Sequence, residues 1–310
     1  MRSTLRFAWR GLPLCALAMT LVACSSQASP IIGQEPTAEA IGLFYYEADL
    51  PLDLVTHGIE EVDGLQVHDI SFESPMGGRV PGYLYVPPGE GPFAGFVIMA
   101  GHRDLVRGHS ARYAHTGAVV AVISVPWARR SDAVPGRQDF TFTPQDSTEQ
   151  VQYIVDTKRL LDILVSRPDV DPQRIGVLGG SYGGGMAALL SGVETRVAAY
   201  AFIVGDGGLD EHFRPQVQDD SGGERWLAAM APISPLLFVG RAAPAQLLYL
   251  NGLQDPNVRR EDAERFQAAG SEPKTIRWYD RGHDLGEEAQ IFMASWFASI
   301  IGINADLYVW

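Results

Sequence analysis

Cysteine is almost absent. Of 310 residues only Cys15 and Cys24 carry a thiol, and both lie in the first 24 positions. Whatever folds beyond Cys24 has no disulfide framework and no thiol nucleophile, so its core must hold it together. Basic charge is scarce as well: Lys and Arg number 24 against 37 Asp and Glu, a formal net charge of −13. Binding nucleic acid needs basic patches that match phosphate, and this balance argues against it. Long hydrophobic runs are missing after the N-terminus, where no segment has the 18 or so uninterrupted apolar residues that suggest a membrane span. What is left is ordinary for a globular chain, 46% hydrophobic and 20% charged. It is long enough to bury a sizeable core in one large domain or two small ones.

The N-terminus is different in kind. Arg2, Arg6 and Arg10 precede an apolar stretch, GLPLCALAMTLVA (11–23), that is too short to cross a bilayer comfortably. Basic-then-apolar order is that of an export signal. Leu21-Val22-Ala23-Cys24 follows and resembles the lipobox of bacterial lipoproteins, in which cleavage before the cysteine leaves it as a lipidated terminus. A plain secretory signal is the alternative. The expected organisation is a signal peptide over 1–23, a tether and N-terminal extension over 24–65, and the main domain over 66–310. Lipidation at Cys24 would make the protein exported, with lipid as its only contact with the membrane. Loss of three arginines would take the net charge to −13 − 3 = −16.

Residues 66–73 and 79–87 alternate loosely around the turn Ser74-Pro75-Met76-Gly77-Gly78, a hairpin signal. The pattern then changes to continuous apolar runs, FAGFVIMA (93–100) and GAVVAVISV (117–125), which suit strands covered on both faces. Further runs follow at 174–180, 196–205, 246–252 and 275–280. Helical periodicity lies between them. Ser147 to Gln150 reads as a capping box, with Val151, Ile154, Val155, Leu161 and Leu164 on one face behind it. Residues 287–301 form a closing amphipathic helix. An antiparallel start followed by strand–helix alternation predicts an α/β fold with a mostly parallel central sheet and helices on both faces. The irregular stretch 206–245 is a candidate cap.

At RIGVLGGSYGGGMAALL (174–190) glycines crowd around one serine. A P-loop would need a lysine that is missing, and no G-x-G-x-x-G spacing follows the strand. The spacing that does occur is G-x-S-x-G, as Gly179-Gly180-Ser181-Tyr182-Gly183. A serine held out of a tight strand-to-helix turn brings the residues two before and two after it close together, so both must be small. The helix N-terminus then offers N–H groups to an oxyanion. Serine needs a base, and of the histidines only His212 and His283 come later. His283 sits between the last strand and the last helix, where it could reach back over the sheet. Asp255, in a turn after the 246–252 strand, is the favoured orienting acid, with Asp206 the rival. The loop Gly101-His102-Arg103 should supply a second oxyanion N–H beside that of Tyr182, with His102 preferred over Arg103. His102 has no partner at metal-ligand spacing, and no metal or organic cofactor is expected. Trp127 and Arg129 are candidate substrate contacts, set against a plain solvated loop.

Together these residues resemble the α/β-hydrolase superfamily, in its dienelactone-hydrolase, acetyl-xylan-esterase and prolyl-oligopeptidase-like branch. The resemblance rests on residues 167–184, the Gly252-to-Asp255-Pro256 turn and Gly282-His283, and spans about 66–305. It implies a serine hydrolase acting on a small-molecule carboxylic ester through Ser181, His283 and Asp255. Gly101-His102 reverses the His-Gly order of many relatives, which bears on the second oxyanion donor. Residues 31–65 cannot hold the oligopeptidases' propeller, which weakens a peptidase or amidase reading. A non-catalytic surface lipoprotein is the third reading.

Overall fold

Burial on both faces explains why the apolar runs become strands. In a computed structural model that describes residues 33–130 and 140–309, nine strands form one sheet. They are β1 (Val55–Val62), β2 (Leu65–Glu73), β3 (Arg79–Val86), β4 (Phe93–Met99), β5 (Ala118–Ile123), β6 (Val170–Gly180), β7 (Ala199–Ile203), β8 (Gln246–Gly252) and β9 (Lys274–Tyr279). Their spatial order is β1-β2-β3-β5-β4-β6-β7-β8-β9. Pairings are antiparallel from β1 to β5 and parallel from β5 to β9. The expected fold class is the one observed. The helices are α1 (Ala38–Gly42), α2 (Arg107–His115), α3 (Gln145–Val165), α4 (Tyr182–Ser191), α5 (Leu209–Phe213), α6 (Ser221–Met230), α7 (Pro235–Phe238), α8 (Arg260–Ala269) and α9 (Gly286–Ile301). The proposed signal peptide and Cys24 lie outside the described residues.

Alternate residues of each central strand feed two separate cores. Val97, Met99, Val119 and Ala121 pack with Ile154 and Leu161 of α3 and with Met186 and Leu190 of α4. Their neighbours Phe96, Ile98, Val120 and Val122 face the other way, onto α2 and α9. There Phe96 stacks on Tyr113 at 4.4 Å and meets Phe297 edge-on at 4.7 Å. A strand clamped between two apolar layers must be apolar throughout, and every residue of β5 is buried. Registers such as Met99↔Gly179, Gly180↔Ile203 and Gly252↔Tyr279 bring the C-terminal strand ends to one edge. That edge is where open α/β sheets bind ligands.

Two local expectations change. First, β1 falls within 24–65, the stretch expected to be tether and extension. All but one of its residues are exposed, so it carries no buried-face alternation. Its signal was the Asp63-Gly64 pair, with φ of 51° and 81°, joining it to β2. Second, α3 starts at Gln145 rather than behind Ser147, whose hydroxyl donates to Pro144 O at 3.1 Å. The start is fixed instead by buried Asp146. Its carboxylate accepts from Thr141 N, Thr141 Oγ1, Phe142 N and Trp226 Nε1. The stretch 206–245 contains α5, α6 and α7, and the fully buried Trp226 ties α6 to α3 through that 2.8 Å bond to Asp146.

Candidate active site

Ser181 occupies the turn between β6 and α4 at φ 52°, ψ −121°, a conformation that side chains rarely tolerate. Its N–H donates to Ile203 O at 2.8 Å, and its carbonyl accepts from Gly184 N at 2.9 Å. Both positions must be small, Gly179 because of Gly183 as expected and Gly183 because of β4 rather than Gly179. A Cβ on Gly179 would stand 2.1 Å from Gly183 O, and one on Gly183 would stand 2.1 Å from Met99 O. Gly180 has open space around it, which matches the absence of any close-approach demand there.

Two later loops come to this turn. Leu253 N–H donates to Tyr279 O at 2.8 Å and Gln254 N–H to Arg281 O at 2.9 Å, which stitches the loop after β8 to the loop after β9. Their contact is so close that a Cβ on Gly252 would lie 2.2 Å from Gly282 O. His283 Nε2 lies 3.0 Å from Ser181 Oγ. On its other side His283 Nδ1 is 3.0 and 2.9 Å from the two carboxylate oxygens of Asp255. The Asp255 side chain is 2% exposed, and its Oδ1 also accepts from Asn257 N at 2.8 Å and Val258 N at 3.1 Å. Asp255 is therefore both a turn residue and a partner of His283. A neutral imidazole that donates from Nδ1 presents a lone pair at Nε2, and Nε2 is the nitrogen facing Ser181.

Around Ser181 the first backbone N–H groups of α4 have no intrahelical acceptor, and Tyr182 is the first residue of that helix. In the facing loop, Arg103 N–H donates to Ser124 Oγ at 3.3 Å. The Arg103 side chain is occupied as well, by Asp69 at 2.6 Å and Gly82 O at 2.9 Å. His102 N–H makes no such bond among the described residues, and its ring Nδ1 accepts from Asp104 N. Of the two candidate donors His102 is thus the one with an open N–H.

Among the described residues, two cavities reach Ser181. One of about 310 Å³ is lined by Gly101, His102, Leu105, Val106, Trp127 and Tyr182. The other, about 660 Å³, has walls from the 206–245 insert, including Leu209, His212 and Phe213, and from Pro256 and Val258 beside Asp255. Trp127 is buried, packed edge-on against Tyr182 at 5.2 Å and tilted against Phe140 at 5.8 Å. Phe140 in turn meets Phe213 at 4.7 Å, an aromatic wall with no sequence signal beyond the residues themselves. Arg129 does not stand free to meet a substrate carboxylate. It donates to buried Asp156 at 2.6 Å and lines a neighbouring cavity rather than either of these two. Burial raises the Asp156 carboxyl above its ordinary range against the opposing pull of Arg129, so that arginine offsets a buried charge.

The rival acid and the rival histidine also meet, but with each other. His212 Nδ1 is 3.1 Å from Asp206 Oδ2, away from the Ser181–His283–Asp255 line.

A family model described as Acetyl xylan esterase (AXE1) matches residues 47–205. Among solved structures, the chain is similar to an acetyl xylan esterase from a Paenibacillus species. They share 20% identity and a TM-score of 0.68, over 84% of this chain and 92% of that one. An acetyl xylan esterase from a Thermoanaerobacterium species matches at 18% identity with a TM-score of 0.67, over 89% and 95%. A glucuronoyl esterase from Solibacter usitatus matches at 13% identity with a TM-score of 0.59, over 84% and 90%. At such identities the likeness is one of fold, the α/β-hydrolase fold.

Proposed function

The chain belongs to the acetyl xylan esterase family and is a carboxylic ester hydrolase; from that premise we propose that it removes short acyl groups, acetyl first, from carbohydrate esters through a Ser181–His283–Asp255 triad. The observation that carries this is the unbroken series of contacts from Ser181 Oγ to His283 to the buried Asp255 carboxylate. In the proposed reaction Ser181 Oγ attacks the ester carbonyl carbon while His283 Nε2 takes its proton. The tetrahedral oxyanion is held by the N–H groups of Tyr182 and His102. Its collapse breaks the bond to the alkoxy oxygen, and His283 returns the proton to the departing alcohol. Water then attacks the acyl-enzyme with His283 as base, releasing the carboxylic acid and restoring Ser181. Asp255 orients the ring and stabilises the imidazolium.

The placement of the two cavities fits an acyl side and an alcohol side of the ester. His102 and Tyr182, the proposed oxyanion donors, line the smaller cavity, whose walls of Leu105, Val106 and Trp127 suit an apolar acyl group. The larger cavity is bounded by the loop that carries Asp255, the side on which His283 would protonate the alcohol. The test is a p-nitrophenyl ester series beside acetate release from acetylated xylo-oligosaccharides. From acetate to octanoate kcat/KM is expected to fall by about tenfold or more, the order that an acetyl esterase family leads one to expect. A flat or rising series would contradict the short-acyl reading, and cleavage of aminoacyl anilides without ester turnover would make the protein an amidase.

Export and anchoring belong to the same proposal. They are supported by the basic and apolar N-terminal sequence and the lipobox-like Leu21-Val22-Ala23-Cys24. Among the described residues no helix is long and apolar enough to cross a membrane. Cys24→Ser is expected to move the protein from the membrane fraction to the soluble fraction after cell lysis. An unmutated protein that is already soluble would remove the anchor from the account.

A further inference from the structure

Asp206 and His212 form a second carboxylate–imidazole pair, and it opens onto the same cavity as Ser181. Asp206 lies in the loop three residues past the end of β7 and is 5% exposed, and its Oδ1 accepts from Gly208 N at 2.8 Å. Two residues earlier Val204 lines the cavity at φ 43°, with its N–H bonded to Leu250 O at 2.8 Å. A β-branched residue in that region is a true outlier, so the chain holds a costly conformation on its way to Asp206. His212, on α5, is packed edge-on against Phe213 at 4.8 Å. The ring is thus fixed by one hydrogen bond and one aromatic contact, while Nε2 makes no hydrogen bond among the described residues.

The charged neighbours are accounted for. Arg265 pairs with Glu211 and Asp262, and Arg259 pairs with Asp262 and Glu261. Among the described residues lining the cavity, His212 Nε2, the Asn257 side chain and the Tyr182 hydroxyl make no hydrogen bond, and they stand among apolar walls from Val204, Leu209, Phe213 and Val258. Such a wall suits the mixed polar and C–H faces of a sugar better than a fully apolar alcohol.

We propose that His212, held by Asp206, is a specificity-determining residue that hydrogen-bonds a hydroxyl on the alcohol portion of the ester, next to the acylated carbon. This rests on the reading of Ser181 as nucleophile. The hydrogen bond to Asp206 raises the His212 pKa above its ordinary value, against the effect of burial. Burial also opposes ionisation of Asp206, yet the bonds from His212 and Gly208 hold its carboxyl below the usual range. A protonated ring donates from Nε2. A neutral ring that keeps its Nδ1–H on Asp206 accepts there. A hydroxyl satisfies both states, whereas a carboxylate satisfies only the first. That selects a neutral polyhydroxylated alcohol as the class of partner.

The experiment compares acetylated methyl xyloside, which has free hydroxyls, with p-nitrophenyl acetate, which has none. For His212→Phe the ratio of their kcat/KM values is expected to fall by about tenfold, the loss of one well-placed hydrogen bond, and the loss is expected in KM. His212→Gln, which can still donate and accept, is expected to recover part of the ratio, and it serves as the test if the phenylalanine variant fails to fold. An unchanged ratio in both variants overturns the proposal, as does a loss confined to kcat. Failure of the nucleophile reading would appear elsewhere, as p-nitrophenyl acetate turnover surviving in Ser181→Ala.

Discussion

Replacing Ser181 by alanine is expected to lower kcat for p-nitrophenyl acetate by about 10⁵-fold or more, with the fold retained. The size follows from the proposed role. Without Oγ there is no acyl-enzyme, and the remaining groups can only orient an ester toward water. Retention of the fold follows from the geometry. The backbone at φ 52° is held by the bonds to Ile203 O and Gly184 N, and alanine keeps both. The hydroxyl's contact with His283 Nε2 lies at the surface of the site, not in the core. Steady-state rates beside a thermal melt check both halves. A variant that melts with the wild type yet retains a tenth of its activity would remove Ser181 from the mechanism.

Asp255→Asn is expected to cost about 10⁴-fold in kcat, and the cause is a tautomer rather than a missing contact. Oδ1 of Asp255 is pinned by Asn257 N–H and Val258 N–H as well as facing His283. In the variant those two donors keep the amide oxygen in the Oδ1 place. The NH₂ then takes the place of Oδ2, 2.9 Å from His283 Nδ1. An amide N–H pointing at Nδ1 forces the ring proton onto Nε2, where it faces Ser181 Oγ, and a protonated nitrogen cannot accept the serine's proton. The variant is therefore expected to keep its KM and lose kcat. Activity within about tenfold of wild type, with the turn intact, would show that Asp255 serves only the turn.

Much of the site was legible because close packing writes itself into local spacing. Gly179 and Gly183 had to be small since a Cβ at either would meet backbone at 2.1 Å. Strands β4 to β8 announced themselves because a strand covered on both faces has no room for polar alternation. The order Ser181, Asp255, His283 along the chain is the one the α/β-hydrolase resemblance implies, and in the fold the loops after β8 and β9 are joined by backbone hydrogen bonds.

What sequence spacing could not supply was pairing between distant elements. Arg129 looked like a group waiting for a substrate until Asp156, on α3, appeared 2.6 Å away. The capping-box pattern at Ser147 was locally sound, yet a tertiary partner 80 residues on, Trp226, made Asp146 the residue that fixes the helix start. Strand β1 has almost no buried face to pattern, so only its Asp63-Gly64 turn could have revealed it. In the sequence Asp206 and His212 stand as separate rivals for the partners of Ser181, and their bond to one another exists only in the folded chain.

Ser181 as the nucleophile is tested most directly by covalent labelling. The protein is treated with an alkyl fluorophosphonate, which phosphonylates an activated serine and loses fluoride, and is then digested and mapped by mass spectrometry. The expected result is one adduct, on the peptide containing Ser181, with esterase activity lost in step with labelling and no adduct in Ser181→Ala. Labelling at another residue, or full esterase activity in a protein whose Ser181 is modified, would contradict the account.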